Sequence, residues 1–135
     1  MASTARRTTA AAPRAVTFLK VSVALQTLAL FFQAATAGAL LTSSLGAMLH
    51  DVGSRVMYGA AMLYVLAAIL AWRPGGGPAR PVWYATGFLV LASVQVVLGI
   101  AHIPEFHVPL GILMFALSTL ALTQMLMTRP WARAA

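Results

Sequence analysis

The sequence predicts an all-α integral membrane protein, a four-helix bundle built from two antiparallel hairpins. Two observations predict it. Between Lys20 and Arg129 only five residues are charged, and they leave charge-free runs at 21–50, 56–72, 81–104 and 106–128. A helix rises about 1.5 Å per residue, so roughly 20 apolar residues cross the hydrocarbon core. The second observation is composition. Apolar residues make up 61% of the chain and charged residues 8%, against roughly 25% charged in an ordinary globular domain. Four such runs leave almost nothing for a soluble domain.

Taken in order, residues 1–16, rich in Ala, Thr, Arg and Pro, read as a disordered cytoplasmic arm. The bundle occupies 17–128. Its first span covers about 18–42 and ends in Thr42-Ser43-Ser44, hydroxyl residues suited to capping the next helix. The second span, about 45–72, starts near Leu45 because the 17 residues of 56–72 are short for a crossing. On it Asp51 and Arg55 form an i,i+4 pair with the acid first, the favourable order, and Trp72 sits where interfacial aromatics gather. Arg73-Pro74-Gly75-Gly76-Gly77-Pro78-Ala79-Arg80-Pro81 excludes helix and strand and reads as a flexible hinge. The third span is about 82–102 and the fourth about 107–128. Ile103-Pro104-Glu105-Phe106 joins them too tightly for anything but an antiparallel hairpin. Residues 129–135 form a short cytoplasmic tail.

A net charge of +7 invites a nucleic-acid partner, but the placement of the charges rejects it. Arg6, Arg7, Arg14 and Lys20 precede the first span, Arg73 and Arg80 flank the second connection, and Arg129 and Arg133 follow the last span. Both acids, Asp51 and Glu105, lie in the other two connections, with Arg55. Lys and Arg collect on cytoplasmic segments, so both termini and the 73–81 loop are expected inside, in a multi-pass protein of the cell membrane. The partner is the lipid bilayer, with some attraction to anionic headgroups. Arg6-Arg7, an apolar stretch and Ala35-Thr36-Ala37 also have the layout of a signal peptide. Apolar character runs on through Leu41, so an uncleaved first span is expected. The chain has no cysteine, which excludes disulfides, thiol redox chemistry, iron–sulfur clusters and covalent c-type heme.

The halves of the chain resemble each other. Gln33, Gly38 and His50 answer Gln95, Gly99 and His107, and a glycine and then a methionine follow each histidine: His50, Gly53, Met57 and His107, Gly111, Met114. Two parallel hairpins related by an axis along the membrane normal bring the histidines to one depth near the outer face. The diagonal of such a bundle is roughly 11–14 Å, a gap that two imidazoles and a metal macrocycle between them fill. Gly53 and Gly111, one turn inward, lack the Cβ atoms that would keep a flat ring from the backbone. Heme iron takes axial histidines, and Arg55 is placed to pair with a propionate.

Ala37-Gly38-Ala39-Leu40-Leu41-Thr42, His50 at the head of the second span, Gln95-Val96-Val97-Leu98-Gly99 and His107 together resemble one half of heme A synthase. The resemblance spans about residues 30–127. That family is made of two four-helix halves, each like a cytochrome b with heme ligands on its second and fourth helices, which makes His50 and His107 the implied axial ligands. The glutamate that the family places before its first-half ligand, and the arginine after it, are replaced here by Ala47-Met48-Leu49 and Asp51. The external cysteine pair and the second half are missing, so the resemblance implies a heme-holding bundle and not oxidation of a heme side chain. The chain is similar also to small four-helix membrane proteins that share this half-synthase pattern, a resemblance that implies no activity.

The working reading is a b-type heme protein in electron transfer or heme handling, with a membrane redox partner or as a small subunit of a redox complex. A non-catalytic structural subunit with histidines in structural roles is the second reading. The third is an outward-facing site for Zn²⁺, Cu²⁺ or a small molecule, lined by His50, Asp51, His102, Glu105 and His107. His102, beside the short turn, is the alternative metal ligand. Met62, Met125 and Met127 fall on apolar helix surface and read as packing, and Gln26, Gln33 and Gln95 as interhelical hydrogen bonds. No nucleophile motif stands out, so a catalytic role is the weakest expectation.

Overall fold

The computed structural model describes residues 8–127, with side chains from residue 13 onward. It contains four helices: α1, Thr8–Leu40; α2, Ser44–Trp72; α3, Arg80–Ile100; and α4, Pro104–Met127. All four are long and apolar enough to cross a membrane. Residues 1–7 of the expected arm and the tail 129–135 lie outside the described residues, and with them Arg6, Arg7, Arg129 and Arg133.

The spans differ from expectation at their ends, for local reasons. Helix α1 begins at Thr8, so residues 8–16 are helical where an irregular arm was expected; Ala10, Ala11 and Ala12 are the strongest of helix formers. Ser43 is the cap among the three hydroxyl residues, its Oγ accepting from the Gly46 N–H at 3.0 Å. Helix α4 starts at Pro104 rather than 107. A proline in the first turn has no N–H to leave unpaired, and Glu105 beside it suits the positive end of the helix dipole.

Helix α3 closes early, at Ile100. His102 adopts φ 55°, and the Ile103 and His102 amides turn back to the carbonyls of Leu98 and Gly99 at 3.0 and 3.2 Å. That is a Schellman cap with histidine where glycine is usual. The glycine-rich connection after α2 is not the free hinge its composition suggests. Gly75, Gly76 and Gly77 donate to Leu70, Trp72 and Ala71 at 3.0–3.1 Å, and Gly76 supplies the positive φ, 73°, that the wrap requires. The last carbonyls of a helix need donors, and these amides provide them.

Each helix packs on its sequence neighbours and α4 closes on α1, which leaves α2 and α4 on one diagonal and α1 and α3 on the other. Gly46 lies on the backbone of Ala39 with no room for a Cβ, which sets how closely α1 and α2 approach. Two apolar layers fill the interior. One gathers Leu19, Val23, Tyr64, Ala67, Ala71 and Ala85; the other gathers Leu30, Met57, Ala61, Phe88, Ala92 and Met114. Between them a polar bridge joins α1 to α4: Gln26 Nε2 donates to Ser118 Oγ at 3.4 Å, and the Thr27 and Ser118 hydroxyls lie 2.7 Å apart. Interhelical hydrogen bonds of this kind specify pairing where lipid gives helices no hydrophobic reason to associate. Large apolar side chains such as Leu28, Ile100, Phe106 and Ile112 point outward, as lipid-facing surface requires.

Candidate functional site

The histidines His50 and His107 meet inside the bundle. They come from the diagonal helices, His50 six residues into α2 and His107 three residues into α4. Their ring centroids are 6.2 Å apart with planes inclined at 66°. Both rings are half-buried. Beneath them lie Met57 and Met114, each seven residues after its histidine and both buried in the apolar layer.

Each histidine is held by the helix that precedes it in the chain. Gln33 Nε2 donates to the His50 carbonyl at 3.2 Å, and Gln95 Nε2 donates to the His107 carbonyl at 2.8 Å. The repeat seen in the sequence therefore has a physical content, one glutamine amide per histidine. The rings are anchored as well. His107 Nδ1 lies 3.0 Å from the backbone carbonyl of Gln95, a pure acceptor, so Nδ1 carries the proton. His50 Nδ1 lies 3.2 Å from Thr36 Oγ1. The other partners of that hydroxyl are acceptors, the carbonyls of Phe32 and Gln33 and the amide oxygen of Gln33. The Thr36 proton goes to one of them, its lone pair faces His50, and Nδ1 donates. In both rings Nε2 keeps a bare lone pair, the form in which imidazole binds a metal.

A metal bonded to one imidazole nitrogen on each side, at about 2 Å, separates the two ring centroids by about 6 Å. The observed centroid spacing of 6.2 Å matches that distance. The flanks are occupied by side chains. A Cβ on Gly53 would meet the Phe32 ring at 3.0 Å, and one on Gly111 would meet Gln95 Nε2 at 3.0 Å. The faces expected to stay bare for a flat ring thus carry Phe32, itself exposed, and the Gln95 amide. The Gln95 amide oxygen is buried and without a hydrogen-bond partner.

The other expected residues are not gathered with the pair. Arg55 is exposed and bonded to Asp51 at 2.9 Å; it projects from a different face of α2 than His50 and Met57. His102 stands exposed in the α3–α4 turn and Glu105 at the head of α4. Among the described residues no three of the His, Asp and Glu side chains come together as a metal-binding group.

Two residues at the site carried no site role in the sequence reading. Thr36 lies three residues after Gln33, on the same face of α1, a spacing that could have identified it. Gly99 lies four residues after Gln95, and a Cβ there would reach the His107 ring at 3.2 Å, so this glycine gives His107 its seat. No protein-family model matches the chain, and no curated protein or solved structure matches it either.

Proposed function

We propose that this chain is a cell-membrane protein that holds heme b between His50 and His107 and serves electron transfer or heme handling, alone or as a small subunit of a redox complex. The single observation that carries this reading is the pair itself. Two imidazoles from non-adjacent helices come within 6.2 Å of each other, center to center and edge to face, each with Nδ1 engaged in a hydrogen bond. When bound, the heme supplies one-electron chemistry. The chain would supply His50 and His107 as the ligand imidazoles, held by Thr36 and the Gln95 carbonyl, and an apolar floor of Met57 and Met114 that would raise the cost of added charge. In this reading the four spans form two antiparallel hairpins with both termini in the cytoplasm, as the placement of Arg14, Lys20, Arg73 and Arg80 favours. The histidines then lie near the outer face, and one heme at that depth does not carry electrons across about 30 Å of hydrocarbon by itself. Electrons pass at the outer surface or to a partner in the membrane. Arg55 is engaged with Asp51 in an exposed ion pair, a weak interaction that would leave it free to serve a propionate. The likeness to a heme A synthase half supports the same two ligands.

One observation favours a cofactor-free structural subunit instead: Phe32 and Gln95 cover the two glycines. A visible spectrum of the full-length protein from heme-replete cells separates the readings. The expected result is the sharp reduced bands of a low-spin, six-coordinate b-type center, lost in His50→Ala and in His107→Ala and retained in His102→Ala. A colourless wild-type protein supports the structural subunit, and equal loss in His102→Ala means that the ligand pair is misassigned.

A further inference from the structure

The end of the bundle opposite the histidines carries a basic, partly apolar groove that the heme reading does not use. Arg14, Ala15 and Phe18 of α1 face Leu70 of α2 and Pro74 and Gly75 of the connection across one hollow. A second hollow shares Pro74 and adds Trp72, Arg73, Gly76 and Gly77. The order along the helices is informative. Phe18 lies one turn beyond Arg14 toward the bundle center, and Leu70 one turn before Pro74, so the groove is basic at its mouth and apolar within.

The charges there have no acidic partner. The sequence holds two acids, Asp51 and Glu105, and both sit at the histidine end; Asp51 is already paired with Arg55. Arg14 and Arg73 are exposed. The Arg73 guanidinium lies 4.8 Å from the Trp72 ring center, a contact that orients it without neutralising it. The glycine amides of the connection are spent on the carbonyls of Leu70, Ala71 and Trp72, so an anion here is met by guanidinium groups. Arg binds phosphate oxygens through paired N–H donors.

We infer that this groove between α1 and α2 binds an anionic phospholipid, with its phosphate on Arg14 and Arg73 and an acyl chain along Phe18 and Leu70. A basic mouth over an apolar cleft at one end of a bundle of membrane-length helices matches that ligand and not a free anion, which makes no use of the apolar part. The site differs from the general attraction of a basic surface for anionic lipid in that it needs these two arginines and not their neighbour Arg80. Arg80 stacks on Tyr84 of its own helix and donates to that hydroxyl at 3.1 Å.

Trp72 provides the readout. In full-length protein carrying Trp83→Phe and Trp131→Phe, reconstituted in phosphatidylcholine vesicles, brominated phosphatidylglycerol should quench Trp72 well beyond its mole fraction. Brominated phosphatidylcholine should quench in proportion to its mole fraction. Arg14→Gln and Arg73→Gln should each weaken the preference about tenfold or more, the loss of a charge-assisted hydrogen bond to phosphate, and Arg80→Gln should weaken it far less. Equal quenching by the two lipids overturns the site. So does an equal loss in Arg80→Gln, which assigns the preference to diffuse charge. Relief of quenching by inorganic phosphate at matched ionic strength also overturns it, in favour of a free-anion site.

Discussion

In the pair α1–α2, His50 leans on a side-chain hydroxyl, that of Thr36; in the pair α3–α4, His107 leans on a main-chain carbonyl, that of Gln95. The backbones are held in the opposite sense. Helices α1 and α2 are pressed together at Gly46 and Ala39, and a third of the most apolar window of each is buried, against 11% in α4. One histidine therefore has a movable anchor on a firmly packed helix, and the other a permanent anchor on a loosely packed one. A bundle that must hold two rings in register can fix either the helix or the ring, and here each pair fixes a different one.

The sharpest way to break this comparison is to add a methyl group at the glycines. Gly46→Ala forces Cβ into the Ala39 backbone, which cannot yield without parting the helices, and should cost about 1–3 kcal/mol in detergent unfolding. Gly99→Ala presses only on the His107 ring, whose nearest atom would lie at 3.2 Å. It should cost about 1 kcal/mol or less, expressed as a displaced histidine rather than a loosened bundle. If Gly99→Ala proves as costly as Gly46→Ala, the second pair is not the looser one.

Removing the anchors sharpens the same contrast. Thr36→Val keeps shape and deletes the hydroxyl acceptor of His50 Nδ1, for a loss of about 1 kcal/mol. Gln95→Leu deletes the amide donor to His107 and leaves the carbonyl that holds its ring. Nitrogen NMR of the imidazoles should show mixed tautomers for His50 in Thr36→Val and a single Nδ1-protonated form for His107 in Gln95→Leu. Mixed tautomers in both would show that the main-chain anchor confers nothing special.

The smallest effect belongs to the turn of the second pair. His102→Gly relieves a left-handed backbone but adds freedom to the unfolded chain, so the net gain should be only about 0.5 kcal/mol. A rise in melting temperature checks it, and a fall would mean that the imidazole makes a contact worth more than the strain.

These particulars show what could be read in advance. The four helices followed from the spacing of five charges, because a charge inside hydrocarbon is costly enough to mark span ends. The matched glutamines and histidines followed from internal repetition. Helix ends were less legible. Thr8, Ile100 and Pro104 are set by alanine propensity, by a histidine in a left-handed cap and by a proline without an N–H, and single residues outweighed the hydropathy pattern there. Within the site, Gln95 was visible as a polar side chain, but its main-chain carbonyl is invisible to any reading of residue types. Gly53 and Gly111 attracted notice by following the histidines, whereas the glycine seated against a histidine is Gly99 on the facing helix. Adjacency across helices depends on rotation about each axis, which the spacing of apolar residues in spans this uniformly apolar does not define.

The hydroxyl bridge from α1 to α4 bears on how the protein is made. Ser118 follows Thr27 by 91 residues, so a ribosome must pass through α2 and α3 and into α4 before Gln26 and Thr27 meet their partner. Until then Gln26, 1% exposed in the finished bundle, presents an amide to lipid or to the insertion machinery. A chain that stops short of Ser118 carries an unpaired polar mark midway along an apolar helix, the kind of flaw by which membrane proteases and chaperones tell an unfinished protein from an assembled one.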